Sequence, residues 1–277
     1  STDATAHNGN FMQLGAGIYN YSCSLAVSEN YTAFEDWNIM TIAKAIPIGA
    51  LTNSLAWTVT YPTPVTIGLS ESNSVDADVT YTVYRDDVSK GTGETITLGA
   101  GTYTYILNTT GGANFTDALL DTQVMTVNKA SSVCTLMLDN TTPSYTYGTA
   151  LTATCICDNP EAPANLYRNG ILANAENNTA VVLPAATHTY VCNVTATENY
   201  TTSSDMAVFT VNRAIPNLNL VSDPSWSETY GTLTNVSCSS PDAEVLPYLE
   251  INSTDATAHN GNFMQLGAGI YNYSCSL

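Results

Sequence analysis

The 25 residues from Ser1 to Leu25 recur letter for letter from Ser253 to Leu277. Position n therefore equals position n+252, so the chain holds one 252-residue period and a 25-residue overlap. Neither convergence nor ordinary divergence leaves such an echo. Consecutive copies in a long array are the expected source, or the overlap of a periodic object, and either way the question is what one period contains. The period divides again. Met40 to Lys44 (MTIAK), Met125 to Lys129 (MTVNK) and Phe209 to Arg213 (FTVNR) end three segments alike, and Ala follows each. Cutting there gives 45–129, 130–213, and 214–252 continued by 1–44, at 85, 84 and 83 residues. Shared landmarks run through all three. A Tyr-Gly/Pro-Thr turn opens at Tyr61, Tyr147 and Tyr230, and Leu69, Cys155 and Cys238 follow it. Further on come Leu98 to Tyr105, Leu183 to Tyr190 and Leu14 to Tyr21. The expected domains are a C-terminal half-domain at 1–44, whole domains at 45–129 and 130–213, and the N-terminal part of the next at 214–277.

Charged residues make up only 11% of the chain, whereas Thr, Ser, Asn, Tyr and Val abound. That is strand and turn chemistry, because β-branched and aromatic side chains suit a pleated, half-buried surface. No window carries an apolar stripe at helical spacing, and no run approaches the ~20 apolar residues of a membrane span. Six Lys+Arg against 24 Asp+Glu leave a net charge of −18. That balance argues against nucleic acid or anionic membrane as partner, since both are bound through cationic side chains. It fits a soluble secreted polymer. No basic-apolar signal segment opens the chain, so a mature, exported part is expected.

Seven cysteines are an odd number for a secreted chain, but the repeat accounts for the leftover. Cys155 and Cys192 stand 37 residues apart, as do the equivalent Cys238 and Cys275. In a two-sheet sandwich that spacing joins a central strand of one sheet to a central strand of the other. Cys134 and Cys157 remain as an extra bridge between the first two strands of 130–213. Cys155 and Cys157 alternate by two and so face the same way, which allows it. Cys23, the copy of Cys275, then has its partner outside the chain. Leu69 and Leu107 replace the pair in 45–129. Cysteine drops out as a pair, so disulfides and an oxidising, extracellular compartment are expected. Zinc is not, for no Cys-x-x-Cys occurs.

A Cys followed some 35 residues later by Tyr-x-Cys, in a unit of about 85 residues made of short strands, resembles an immunoglobulin-like sandwich. The Tyr-Gly-Thr opening and the Lys/Arg-Ala joint are similar to the tandem Ig-like repeats, including the MBG type, of archaeal and bacterial cell-surface filament and adhesin proteins. The core Trp of antibody-type domains is missing. The resemblance implies an all-β chain of Ig-like β-sandwich domains arranged as beads on a string. It also implies tyrosine corners at Tyr21, Tyr105 and Tyr190, two residues before the second Cys.

The strand pattern of 130–213 agrees. Val133 to Leu138 reads as a first strand, and Leu151 to Cys157 alternates with Leu151, Ala153, Cys155 and Cys157 inward. Asn165 to Arg168 runs into Asn169-Gly170, a strong two-residue hairpin signal. Asp86 and Asp87 take the same turn in 45–129. Ala180 to Leu183, Thr187 to Thr195 and Asp205 to Val211 complete the set. At the joints, Lys44, Lys129 and Arg213 meet the next domain with no Gly/Ser linker, which leaves little hinge freedom. Carboxylates of the next domain, Asp76, Asp78 or Glu244, are their candidate partners.

Eleven Asn-x-Ser/Thr sequons stand at Asn20, Asn30, Asn108, Asn114, Asn140, Asn177, Asn193, Asn199, Asn235, Asn252 and Asn272. Asn30, Asn114 and Asn199 fall at one place in the three units, on a turn before the last strand. Asn108 and Asn193 are likewise equivalent. N-glycans there would shield edge strands and backbone; Asn/Thr turn chemistry makes the same pattern without them. Catalytic residues and cofactor sites are not expected. His188 stands where Tyr103 and Tyr19 stand in the other units and reads as a substituted aromatic. Calcium at Glu35-Asp36, Asp86-Asp87 or Asp76-x-Asp78 is the weaker reading, because these pairs recur poorly. The expected function is a structural component of an extracellular, glycosylated filament, stalk or sheath at the cell surface, its partners further copies of itself. The alternatives are an adhesin for a host, surface or carbohydrate, and a subunit that polymerises by completing a split Ig-like domain.

Overall fold

The computed structural model describes residues 8–72, 78–139, 144–241, 244 and 246–277. Among them the chain is all-β, with 24 strands and only single-turn 3₁₀ segments besides. It packs as two compact units. One comprises Ser1–Leu136, Thr154–Tyr167 and Val191–Met206; the other comprises Met137–Ala153, Arg168–Tyr190 and Ala207–Leu277.

In the first unit, β1 (Gly17–Leu25) and β2 (Phe34–Ile42) pair antiparallel, with Gly17 opposite Ile42 and Leu25 opposite Phe34. Residues 45–129 supply β3 (Gly49–Asn53), β4 (Thr58–Thr60), β5 (Val65–Glu71), β6 (Tyr81–Arg85), β7 (Val88–Ser89), β8 (Glu94–Ile96), β9 (Gly101–Thr109) and β10 (Ala118–Asn128). They divide into two sheets, β3-β5-β8 and β4-β10-β9-β6-β7. β4 runs parallel to β10, and β9 and β6 follow antiparallel. This is the Ig-like β-sandwich, whose inward positions alternate with outward ones. Val65 and Ile67 on β5 and Tyr105 and Leu107 on β9 point inward and are buried to within 1% exposure. Leu51, Val83, Leu98, Met125 and Val127 fill the rest of that core. Each such aliphatic side chain contributes ~1.5–3 kcal/mol by burial, which is how 45–129 holds together without a disulfide.

Residues 130–213 repeat the order. Their strands are β11 (Cys134–Leu138), β12 (Ser144–Thr146), β13 (Ala150–Cys157), β14 (Asn165–Arg168), β15 (Ile171–Leu172), β16 (Ala180–Val182), β17 (Thr187–Val194) and β18 (Ser203–Asn212). The sheets are β11-β13-β16 and β12-β18-β17-β14-β15. Leu151, Ala153 and Cys155 are buried, on alternate positions of β13. In the second unit, Phe209 meets the rings of Tyr145, His188 and Tyr190 at centroid distances of 5.4, 5.7 and 5.7 Å. Residues 214–277 add β19 (Asn219–Asp223), β20 (Leu233–Ser239), β21 (Tyr248–Ile251), β22 (Thr254–Asp255), β23 (Phe263–Gln265) and β24 (Tyr273–Ser276). They form the sheets β19-β20-β23 and β22-β21-β24 around Val236, Cys238, Leu249 and Ala256.

One hairpin turn recurs with a spacing the sequence repeats. Asp86–Asp87, Asn169–Gly170 and Asn252–Ser253 take φ of 46° and 66°, 51° and 81°, and 50° and 62°. Two successive positive φ angles give the I′ turn that matches strand twist. The first side chain fastens each turn, Oδ1 of Asp86, Asn169 and Asn252 accepting from the N–H of Thr104, Thr189 and Asn272. Asp86 and Asp87 are thus turn residues, and one sequon, Asn252, lies inside such a turn.

Candidate functional site

In a chain of repeats the distinctive chemistry lies where one repeat meets the next. Ala45 and Ala130, which follow the joint lysines, are each clamped to a loop that precedes the last strand. Ala45 N–H donates to the Asn114 carbonyl, and the Ala45 carbonyl accepts from Thr116 N–H, both at 2.9 Å. Ala130 N–H donates to the Asn199 carbonyl at 2.8 Å, and the Ala130 carbonyl accepts from Thr201 N–H at 2.9 Å. Lys44 Nζ donates to the Gly112 carbonyl at 2.7 Å, and Lys129 Nζ to the carbonyl of Thr197, the equivalent residue.

Lys44 and Lys129 therefore bond backbone carbonyls, and among the described residues neither pairs with Asp78 or Glu244; the Glu161 carboxyl of the later repeat is held low chiefly by Asn199 and in part by Lys129. Asp78 accepts the N–H of Ala113 at 2.6 Å, and Glu244 accepts the Tyr147 hydroxyl at 3.1 Å; Asp76 lies outside the described residues. The physical reason is entropy. A carbonyl fixed by its own loop is already in place, whereas an exposed carboxylate must be ordered to be met.

The tyrosine corner also sits elsewhere. Its hydroxyl-to-backbone bond comes from Tyr19, Tyr103 and Tyr271, which donate to the carbonyls of Gly15, Gly99 and Gly267 at 2.9, 3.0 and 3.0 Å. His188, buried, takes that role in 130–213, its Nε2 lying 2.9 Å from the Pro184 carbonyl. Tyr105 and Tyr190 instead donate to Glu94 and Glu176, carboxylates already paired with Arg85 and Arg168. Tyr21 is exposed on β1. Alternate strand residues share a face, so spacing alone could not say which of the two aromatic rings would reach the turn.

Disulfides join Cys134 to Cys157, Cys155 to Cys192 and Cys238 to Cys275, and Cys23 is free and exposed. The sulfurs of Cys134, Cys157 and Cys192 lie within 4.8 Å of one another, but a disulfide sulfur is not the thiolate a metal requires. Glu35 and Asp36 are consecutive on β2, so their side chains leave opposite faces and do not converge on a cation. Of the sequons, Asn20, Asn30, Asn252 and Asn272 are exposed, while Asn108, Asn114, Asn177, Asn193, Asn199 and Asn235 are half-buried. Asn140 lies outside the described residues. The Oδ1 atoms of Asn108 and Asn193, at equivalent positions, and of Asn235 are buried without a hydrogen-bond partner. Among the described residues no helix is long and apolar enough to cross a membrane.

No protein-family model matches the chain, and no curated protein matches it in sequence. Among solved structures, it is similar to the fibronectin(III)-like modules of Clostridium thermocellum CbhA, at 14% identity over 59% of this chain and 94% of that one, TM-score 0.25. Murine CEACAM1b matches at 12% identity over 61% of this chain and 100% of that one, TM-score 0.22. A Corynebacterium diphtheriae protein described as membrane anchored matches at 12% identity over 87% of this chain and 73% of that one, TM-score 0.28. Likeness at this level transfers no function, and the fold assignment stands on the chain's own sheet topology.

Proposed function

We propose that the chain is a stretch of a longer extracellular array of Ig-like domains, with boundaries at 44/45, 129/130 and 213/214, and that its work is mechanical. The observation that carries this reading is the joint. At two successive joints the same lysine-to-carbonyl bond crosses the boundary, and the alanine that follows is held by the same pair of hydrogen bonds inside its own repeat. Such joints leave no free residue to act as a hinge, so repeat number sets reach and joint geometry sets stiffness. The disulfides resist unfolding, and glycans on the exposed Asn20, Asn30, Asn252 and Asn272 would shield the surface of a filament, stalk or sheath.

The alternative is a subunit that polymerises by completing a split Ig-like domain through strand addition. The deciding measurement is the denaturing mass of the native protein after reduction and deglycosylation. A mass of hundreds of kilodaltons supports one continuous array; a mass near 29.4 kDa sinks it in favour of subunits that complete one another.

A further inference from the structure

Each joint carries a second contact that runs the same way as the lysine bond, the earlier repeat donating and the later one accepting. Asn114 Oδ1 accepts the N–H of Ala16 at 2.7 Å, and Asn199 Oδ1 accepts the N–H of Ala100 at 2.8 Å. Ala16 and Ala100 hold the same place in the Leu-Gly-Ala-Gly turn, and Asn114 and Asn199 the same place in the Asn-Phe/Tyr-Thr triplet. The peptide group that donates is gripped at its other end as well, its Gly15 or Gly99 carbonyl taking the Tyr19 or Tyr103 hydroxyl. Two hydrogen bonds on one peptide polarise each other and strengthen both. Glycine makes the approach possible, since a Cβ on Gly15 or Gly99 would stand 2.7 or 3.1 Å from the asparagine oxygen. Asn199 is also held from behind, its Nδ2 donating to Glu161 Oε1 at 2.7 Å.

We propose that the Gly-Ala peptide of this turn is a docking site for the asparagine of the following repeat, and that Asn114 and Asn199 make that contact in place of carrying glycan. The inference rests on the reading of the repeats as consecutive domains of one chain. A glycan would attach at Nδ2, which in Asn199 already donates to Glu161, and would have to be accommodated in the same contact as Ala100. The same chemistry names the occupant of the turn at Leu266–Gly269. There Tyr271 already holds the Gly267 carbonyl at 3.0 Å, and the sequence is that of the turn that receives Asn114. Its partner is a further copy of 45–129. The turn at Leu183–Ala186 differs, because Pro184 brings a Cβ to the place where glycine leaves room. One joint in each period of three therefore docks more loosely.

Amide hydrogen exchange on the whole 277-residue chain tests this. Asn199→Ala should speed exchange at Ala100 by about tenfold, the worth of one hydrogen bond, and leave Ala16 unchanged; Asn114→Ala should do the reverse. Unchanged protection of the Val83 and Leu107 amides in 45–129, and of the Asn169 and Val211 amides in 130–213, shows that both repeats survive. If Asn199→Ala disturbs that protection, Gly99→Ala, which leaves Asn199 in place, should still expose Ala100. Glycopeptide mapping of the native protein should find Asn114 and Asn199 unmodified. Unaltered Ala100 exchange in both variants, or a glycan on either asparagine, overturns the proposal. A native mass near that of the single chain would sink the long array without altering these rates, so the two failures are separable.

Discussion

The phenol of Tyr190 donates to Glu176 Oε2 at 2.5 Å, while Arg168 grips the same carboxylate with Nη2 at 2.8 Å and Nε at 3.1 Å. Tyr105, Glu94 and Arg85 repeat the arrangement at 2.8 and 2.7 Å. In 214–277 Ile251 stands in place of the arginine and His259 in place of the glutamate, and the Tyr273 hydroxyl is buried without a partner. The three repeats thus offer an internal control on one polar network.

Tyr190→Phe should cost about 1–2 kcal/mol, because it removes a bond to a charged group that stays half-buried. Tyr273→Phe should be neutral or stabilise by about 1 kcal/mol, since that hydroxyl is desolvated without compensation. Denaturant unfolding of the two variants, with exchange to assign each loss to its repeat, checks the contrast. Equal destabilisation by both would show that the network contributes nothing.

Alkaline pH should strike the same residues. Burial, and then the bond to Glu94, pushes the Tyr105 phenol from 10.0 up to about 12. The folded state keeps a proton that the unfolded chain releases, so this stabilisation is whole below pH 10.0 and fades as pH rises to about 12. Its size is about 3 kcal/mol for a shift of about two pH units. Tyr190 shifts upward for the same reasons. At the acid end, burial raises Glu176, but the bonds from Arg168 and Tyr190 outweigh it and hold the carboxyl below its usual range. That contribution is present above the ordinary carboxylate pKa and is lost as pH falls through the lowered one. Stability against pH should be flatter for Tyr105→Phe on the alkaline side and for Glu176→Gln on the acid side.

Reduction should divide the repeats. The bridges at Cys155–Cys192 and Cys238–Cys275 each close 37 residues, and loss of a loop of that size costs about 2–4 kcal/mol. Residues 45–129 have Leu107 fully buried and Leu69 packed on the same core in place of the pair. Calorimetry with and without reductant should show transitions of 130–213 and 214–277 moving down while that of 45–129 stays. A uniform shift would mean that the leucines do not substitute for the bridge.

His188 occupies the tyrosine place and keeps its bond. The ring is 3% exposed, with Nε2 at 2.9 Å from the Pro184 carbonyl and Nδ1 at 3.3 Å from Asn169 Nδ2. His188→Tyr should therefore change stability by less than about 1 kcal/mol, as it restores the side chain of the other repeats. His188→Ala should cost about 2–4 kcal/mol through the cavity beside Phe209 and an orphaned carbonyl. Thermal melts of both variants decide it.

Much of this is legible in the sequence. The all-β class followed from alternation and turn residues, the disulfides from cysteines that come and go in pairs, and the hairpin from Asn169-Gly170. These are local or repeat-level patterns, and local physics fixes them in every copy. The joint was not legible. Lysines at a strand end and acids nearby read as ion pairs, yet Lys44 and Lys129 found carbonyls that only the folded loop holds in position. The asparagine of Asn-x-Thr reads equally as a glycan acceptor or a turn residue. Only the approach of Ala16 and Ala100, some hundred residues away, distinguishes Asn114 and Asn199 from the exposed Asn20 and Asn272. The sequence by itself determined the strands and the period, because each depends on neighbours along the chain. The tertiary structure alone decided which polar atoms meet at the joints, because a hydrogen bond needs both partners within about 3 Å, and no spacing in one strand measures the distance to another.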